Sequence, residues 1–82
     1  MSWNYRVCKE TVKYNEDEET TLYSIKEVYY NLKGEIEGQT ENPVKMEFES
    51  LEDLKWALDK FRDALGKDVV DLDTIVYPSQ KQ

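Results

Sequence analysis

The sequence predicts an α+β fold: an antiparallel β-meander of three to four strands, followed by one α-helix packed on one face. Three observations predict it. The first forty residues alternate apolar and polar positions and are dense in Trp, Tyr, Val, Ile and Thr, as half-buried strands are. Residues 51–65 place apolar side chains at steps of three and four, the spacing of a helix with one buried face. The chain has 82 residues, which is enough for one core only, so sheet and helix must share it.

The first strand, residues 3–12, opens with Trp3, Tyr5 and Val7 alternating against Asn4, Arg6 and Cys8. Asn15-Glu16-Asp17-Glu18-Glu19 stops that pattern with turn-forming and acidic residues. The second strand, residues 20–31, gathers Thr20, Thr21, Tyr23, Ile25, Val28, Tyr29 and Tyr30 and forms a hairpin with the first. Leu32-Lys33-Gly34 makes the next loop, with Gly34 free to take a left-handed conformation. Residues 35–40 form a short third strand, and Pro43 ends the ladder because it has no N–H. Val44, Met46 and Phe48 alternate with Lys45 and Glu47, giving a short fourth strand over 44–48 or an extended arm.

Ser50 caps the helix of residues 51–65, with Glu52 and Asp53 at its positive end. Its apolar stripe is Leu51, Leu54, Leu58, Phe61 and Leu65, flanked by Ala57 and Ala64, and Gly66 suits the position after the last turn. Residues 68–77 hold Val69, Val70, Leu72, Ile75, Val76 and Tyr77, interrupted by aspartates, and residues 78–82 read as a frayed tail.

The two loops imply registers. A first hairpin centred on Glu16-Asp17 sets Arg6 opposite Glu27, a candidate ion pair, and Tyr5 opposite Val28. The second loop sets Tyr30 opposite Ile36 and Val28 opposite Gly38. One face then carries Trp3, Tyr5, Val7, Leu22, Val28, Tyr30 and Ile36 to meet the helix. The other carries Cys8, Val12, Tyr23, Ile25 and Tyr29, beside Arg6, Glu10 and Glu27. That second face is too apolar for solvent, and one helix covers one face. Residues 68–77 fold over it, another chain covers it, or it stays exposed without a role. Trp56 lies roughly 160° round the helix from the stripe, so it points away from the sheet, to pack under a terminal arm or to contact a partner.

Charge and composition exclude several functions. Eighteen acidic and 11 basic residues give a net charge of −7, and the lysines and arginines are dispersed, so no direct nucleic-acid binding is expected. With no histidine and one cysteine, the chain has no imidazole base, no disulfide framework and no zinc-ligand cluster. The acidic runs 16–19 and 68–73 lack the glycine and spacing of a calcium loop. No cofactor, metal or catalytic residue is therefore assigned, and the protein is not expected to be an enzyme. No apolar run approaches the ~20 residues of a membrane span and no signal peptide opens the chain, so a cytoplasmic protein without membrane contact is expected, with Cys8 reduced.

Trp3-Asn4-Tyr5-Arg6-Val7, then Tyr23-x-Ile25-x-Glu27-Val28-Tyr29-Tyr30, Gly34, Thr40-Glu41-Asn42-Pro43 and Leu51-Glu52-Asp53-Leu54 together resemble a small bacterial family of uncharacterised proteins. The resemblance runs from Trp3 to Leu72, and its motifs are specific in combination rather than singly. It implies a bacterial source and a compact meander-plus-helix domain, and no catalytic residue. This chain departs from the pattern in its longer acidic first turn and in Lys26, at a position where an imidazole often stands.

The function expected is that of a small acidic, non-catalytic protein-interaction module, homodimeric or bound to another protein. Its candidate interaction face is Tyr23, Ile25, Tyr29 and Trp56. The alternative, prompted by the charge of −7, is an acidic nucleic-acid mimic that inhibits a DNA-binding protein.

Overall fold

Asn15 sets the register of the sheet. In the computed structural model, which describes residues 2–78, its side-chain carbonyl accepts the N–H groups of Asp17 and Glu18, each at 2.9 Å. The Tyr14 N–H closes the same turn on the Glu18 carbonyl at 2.9 Å. Lys13 therefore faces Glu19, joining β1 (Ser2–Lys13) to β2 (Glu19–Tyr30) as a long antiparallel hairpin. The turn is centred on Glu16, one half-step short of the expected Glu16-Asp17. Arg6 accordingly lies opposite Lys26 and Tyr5 opposite Glu27, so the Arg6–Glu27 pair does not form.

This slip of one residue reassigns β2 between the two faces. Odd-numbered residues of both strands share one side: Trp3, Tyr5 and Val7 with Tyr23, Ile25, Glu27 and Tyr29. Even-numbered residues share the other: Arg6 and Cys8 with Leu22, Lys26, Val28 and Tyr30.

The second turn is built the same way. The Asn31 side chain accepts from the N–H groups of Lys33 and Glu35, and Gly34 takes φ +80°, where a side chain would be strained. Tyr30 then faces Ile36 as expected, but a bulge between Tyr29 and Tyr30 moves Val28 opposite Gln39 and Tyr29 opposite Gly38. β3 (Ile36–Gln39) is short. The chain beyond it forms no strand over 44–48, correcting that expectation. It stays beside β2 through Thr40 N–H to the Glu27 carbonyl and Val44 N–H to the Ile25 carbonyl, both 2.9 Å.

Ser50 caps α1 (Leu51–Leu65), its hydroxyl accepting the Asp53 N–H at 3.0 Å. The helix buries Ala57, Phe61 and Ala64, and Phe61 meets the Tyr5 ring edge-on at 5.0 Å. Leu51, Leu58 and Leu65 were expected in the buried stripe, yet they are exposed; Leu65 is 70% accessible. The small alanines let the helix sit close, and this turns the heptad-spaced leucines outward. Gly66 ends the helix in an ordinary right-handed conformation at φ −83°, not the left-handed one.

The fourth strand comes after the helix. β4 (Val70–Asp71) pairs in parallel with Cys8 and Lys9, so the sheet is mixed, with order β3-β2-β1-β4, and not a pure meander. The chain then crosses the even-numbered face. Leu72 and Ile75 pack on the buried cluster of Cys8, Val28 and Val70, beside Tyr30 and Ile36, and the Tyr77 hydroxyl donates to the Gln39 side chain on the far strand. The helix packs on β1 from one face of the sheet, and residues 72–77 cross the other over the Cys8–Val28–Val70 cluster. The expected tail lies, after Pro78, outside the described residues. No helix among the described residues is long and apolar enough to cross a membrane.

Candidate functional site

The covered face carries buried charge, and its contacts are structural. Lys26 is 3% exposed and donates to the Glu41 carbonyl at 2.9 Å and to the Glu10 carboxylate at 3.5 Å, which ties the segment after β3 to the sheet. Arg6 donates to the Tyr30 hydroxyl at 3.0 Å and to the Asp68 carbonyl, while Tyr30 donates to the Asn4 side chain at 2.7 Å. These bonds lock the entry to β4. Cys8, 1% exposed, is more deeply buried than a half-buried strand residue, and burial raises its thiol pKa above the ordinary value. A thiol held protonated in this way is a poor nucleophile.

The four candidate interaction residues lie on two elements, three on β2 and Trp56 on α1. Tyr23 is exposed, while Ile25 and Tyr29 on the same side of β2 are half-buried. The Tyr29 hydroxyl donates to the Glu27 carboxylate at 3.2 Å, and desolvation followed by that carboxylate raises its pKa. Tyr5 responds in the same direction, first to burial and then to Glu27. Trp56 stands elsewhere, on a groove at the opposite edge of β1.

That groove has a volume of about 320 Å³. One wall is Trp3, Asn4 and Tyr5. Three consecutive strand residues point alternately up and down, so what they share is the backbone edge. No residue of β2 contributes, which puts the groove on the side of β1 away from the hairpin. The other wall is Trp56, Lys60, Asp63 and Lys67, one flank of α1 and its exit. Trp3 and Trp56 are each about half exposed, at 49% and 52%. The Trp3 ring is fixed edge-on to Tyr5 at 5.2 Å, and Lys60 Nζ sits 5.7 Å from the centre of the Trp56 ring. Trp56 thus lines this groove with about half of its surface open.

Backbone alternation shows what the strand wall presents. The Lys9 carbonyl accepts the Leu72 N–H at 2.9 Å, and the Thr11 N–H donates to the Asp73 carboxylate at 3.0 Å, so odd residues of β1 turn their backbone outward. On β2 the carbonyls of Ile25 and Glu27 also face away from β1, which leaves the even residues to bond across the hairpin. Trp3 and Tyr5 therefore direct their N–H and C=O groups toward the outer edge. β4 pairs only at Cys8 and Lys9, and among the described residues no backbone group takes up those of Trp3 and Tyr5 on that edge.

No family model matches the chain, and neither a curated protein nor a solved structure does. The site is therefore read from its own geometry. Among the described residues no group of three or more His, Cys, Asp and Glu side chains could hold a metal ion. Sequence reading picked out Trp56 but placed Trp3 in the core. It missed Lys60 and Lys67, and it missed the open edge. The signal for that edge was available in the shortness of the apolar run at Val69-Val70, too brief to pair with a twelve-residue strand.

Proposed function

We propose that this protein is a non-catalytic interaction module that takes a protein partner in the groove between the β1 edge and α1. The observation that carries the reading is the pair of half-exposed tryptophans facing one groove beside a strand edge with unused backbone groups. Exposed Trp beside a concavity is the composition of a binding hot spot, and unpaired strand edges are otherwise blunted or covered. The same proposal places the module in the cytoplasm, in the bacterial family it resembles.

A peptide-display selection on the whole protein tests it. Binders are expected that lose at least tenfold in affinity on Trp56→Ala, because Trp hot spots typically contribute about 2 kcal/mol or more. Trp56 is half exposed, so the variant keeps its fold, which circular dichroism verifies. Binders indifferent to Trp56→Ala, or no binders at all, would remove the groove reading. The homodimer reading makes a different forecast: a mass rising with concentration in light scattering, abolished by Ile25→Glu on the Tyr23 side of β2.

A further inference from the structure

We infer that the groove binds its partner by strand addition: an extended internal segment of another protein, bearing an Asp or Glu side chain, pairs with the open edge at Trp3–Tyr5, on the same side of β1 as β4. This rests on the interaction-module reading and specifies its partner.

Three observations carry it. First, the unused groups on the strand wall are backbone N–H and C=O, spaced two residues apart at Trp3 and Tyr5. Only an extended chain offers complementary groups at that repeat, as in other β-augmented complexes. Second, β1 already accepts a parallel strand on this edge, since Val70 and Asp71 pair with Cys8 and Lys9. An added segment lies on the same edge, N-terminal to Arg6, whose guanidinium already holds the Asp68 carbonyl at the entry to β4. Third, the groove differs in charge from the protein. The chain carries −7, yet the helix wall sets Lys60 and Lys67 against Asp63 alone. Lys60 Nζ stands over the Trp56 ring as part of the groove lining, where it meets a carboxylate carried on a side chain of the extended segment. The groove's size, near the lower end of ligand pockets, suits one or two side chains and not the face of a folded domain.

Display-selected peptides of about ten residues, synthesised with capped ends, provide the test. Each is remade with one backbone amide N-methylated at a time and with its acidic residue changed to the amide. Strand addition predicts losses with a period of two: about fivefold or more at amides facing β1, and little at those between. It also predicts that Lys60→Glu weakens the acidic peptide several-fold and leaves the amide form nearly unchanged. Losses with a period of three to four, or none on N-methylation, would overturn strand addition while leaving the groove reading intact, provided Trp56→Ala still abolishes binding. Equal effects of Lys60→Glu on both peptide forms would overturn the carboxylate. Binding that survives Trp56→Ala, or failure to select any peptide, would overturn strand addition and the groove together.

Discussion

Phe61→Ala and Leu65→Ala test which part of the predicted apolar stripe α1 buries. Phe61 is 6% exposed and its ring meets Tyr5 at 5.0 Å. Truncating a buried Phe costs about 3–5 kcal/mol, of which about 0.5–1.5 is the lost edge-on ring contact. A chain of 82 residues at about 0.05–0.15 kcal/mol per residue has roughly 4–12 kcal/mol of total stability. Phe61→Ala should therefore remove a large share of it. Leu65 is 70% exposed. A fully buried Leu contributes about 1.5–3 kcal/mol, so the third of it that is covered contributes less than about 1 kcal/mol. Urea unfolding followed by far-ultraviolet circular dichroism measures both, from the shift in midpoint at a common slope. Leu65→Ala costing as much as Phe61→Ala would refute the orientation of the helix and restore the leucine stripe as its buried face.

Three further outcomes are expected. Ser50→Ala should cost about 1 kcal/mol by releasing the Asp53 N–H, whereas Ser50→Asp should retain most of the stability; an unchanged midpoint for Ser50→Ala would contradict the cap. Asp73 accepts the Thr11 N–H and then its hydroxyl, at 2.8 Å, and these bonds lower its pKa below the ordinary value. The folded state then binds fewer protons than the unfolded one, so this contribution is present above about pH 4 and is lost as pH falls through the folded value. The stability gap between the wild-type protein and Asp73→Asn should close in acid, and a gap independent of pH would count against the bond. Cys8, buried with a raised thiol pKa, should resist alkylation in the native protein and react at a rate set by opening. Prompt labelling without denaturant would show that residues 68–77 do not cover that face.

Local chemistry was legible in the sequence. The two long strands, the cap at Ser50 and the turn at Gly34 follow from residue type and spacing, and the structure places them within a residue or two of expectation. Register was less legible, because a single Asn side chain decides whether the first turn centres on Glu16 or half a step later. That choice exchanged the faces of β2 and replaced an expected Arg6–Glu27 pair with Arg6 beside Lys26. The helix face was misjudged for a related reason. Hydropathy weights Leu above Ala, whereas close packing on the sheet favours Ala57 and Ala64 under the helix. The cover for the second face was one of three alternatives, and residues 68–77 supply it through Leu72, Ile75 and Tyr77. The groove was the least legible feature. It depends on where β4 stops pairing along β1, and the brevity of the Val69-Val70 run is the one sequence signal of that.

Amide hydrogen exchange along β1 tests the central claim, an open strand edge beside α1, most directly. Asn4 and Arg6 lie opposite Val28 and Lys26 and bond across the hairpin, so their amides should be protected. Trp3 and Tyr5 point to the outer edge and should exchange much faster than these immediate neighbours, while Lys9, beside β4, stays protected. Protection at Trp3 and Tyr5 equal to that at Asn4 and Arg6 would mean that the edge is already occupied, and the groove would have no strand to receive.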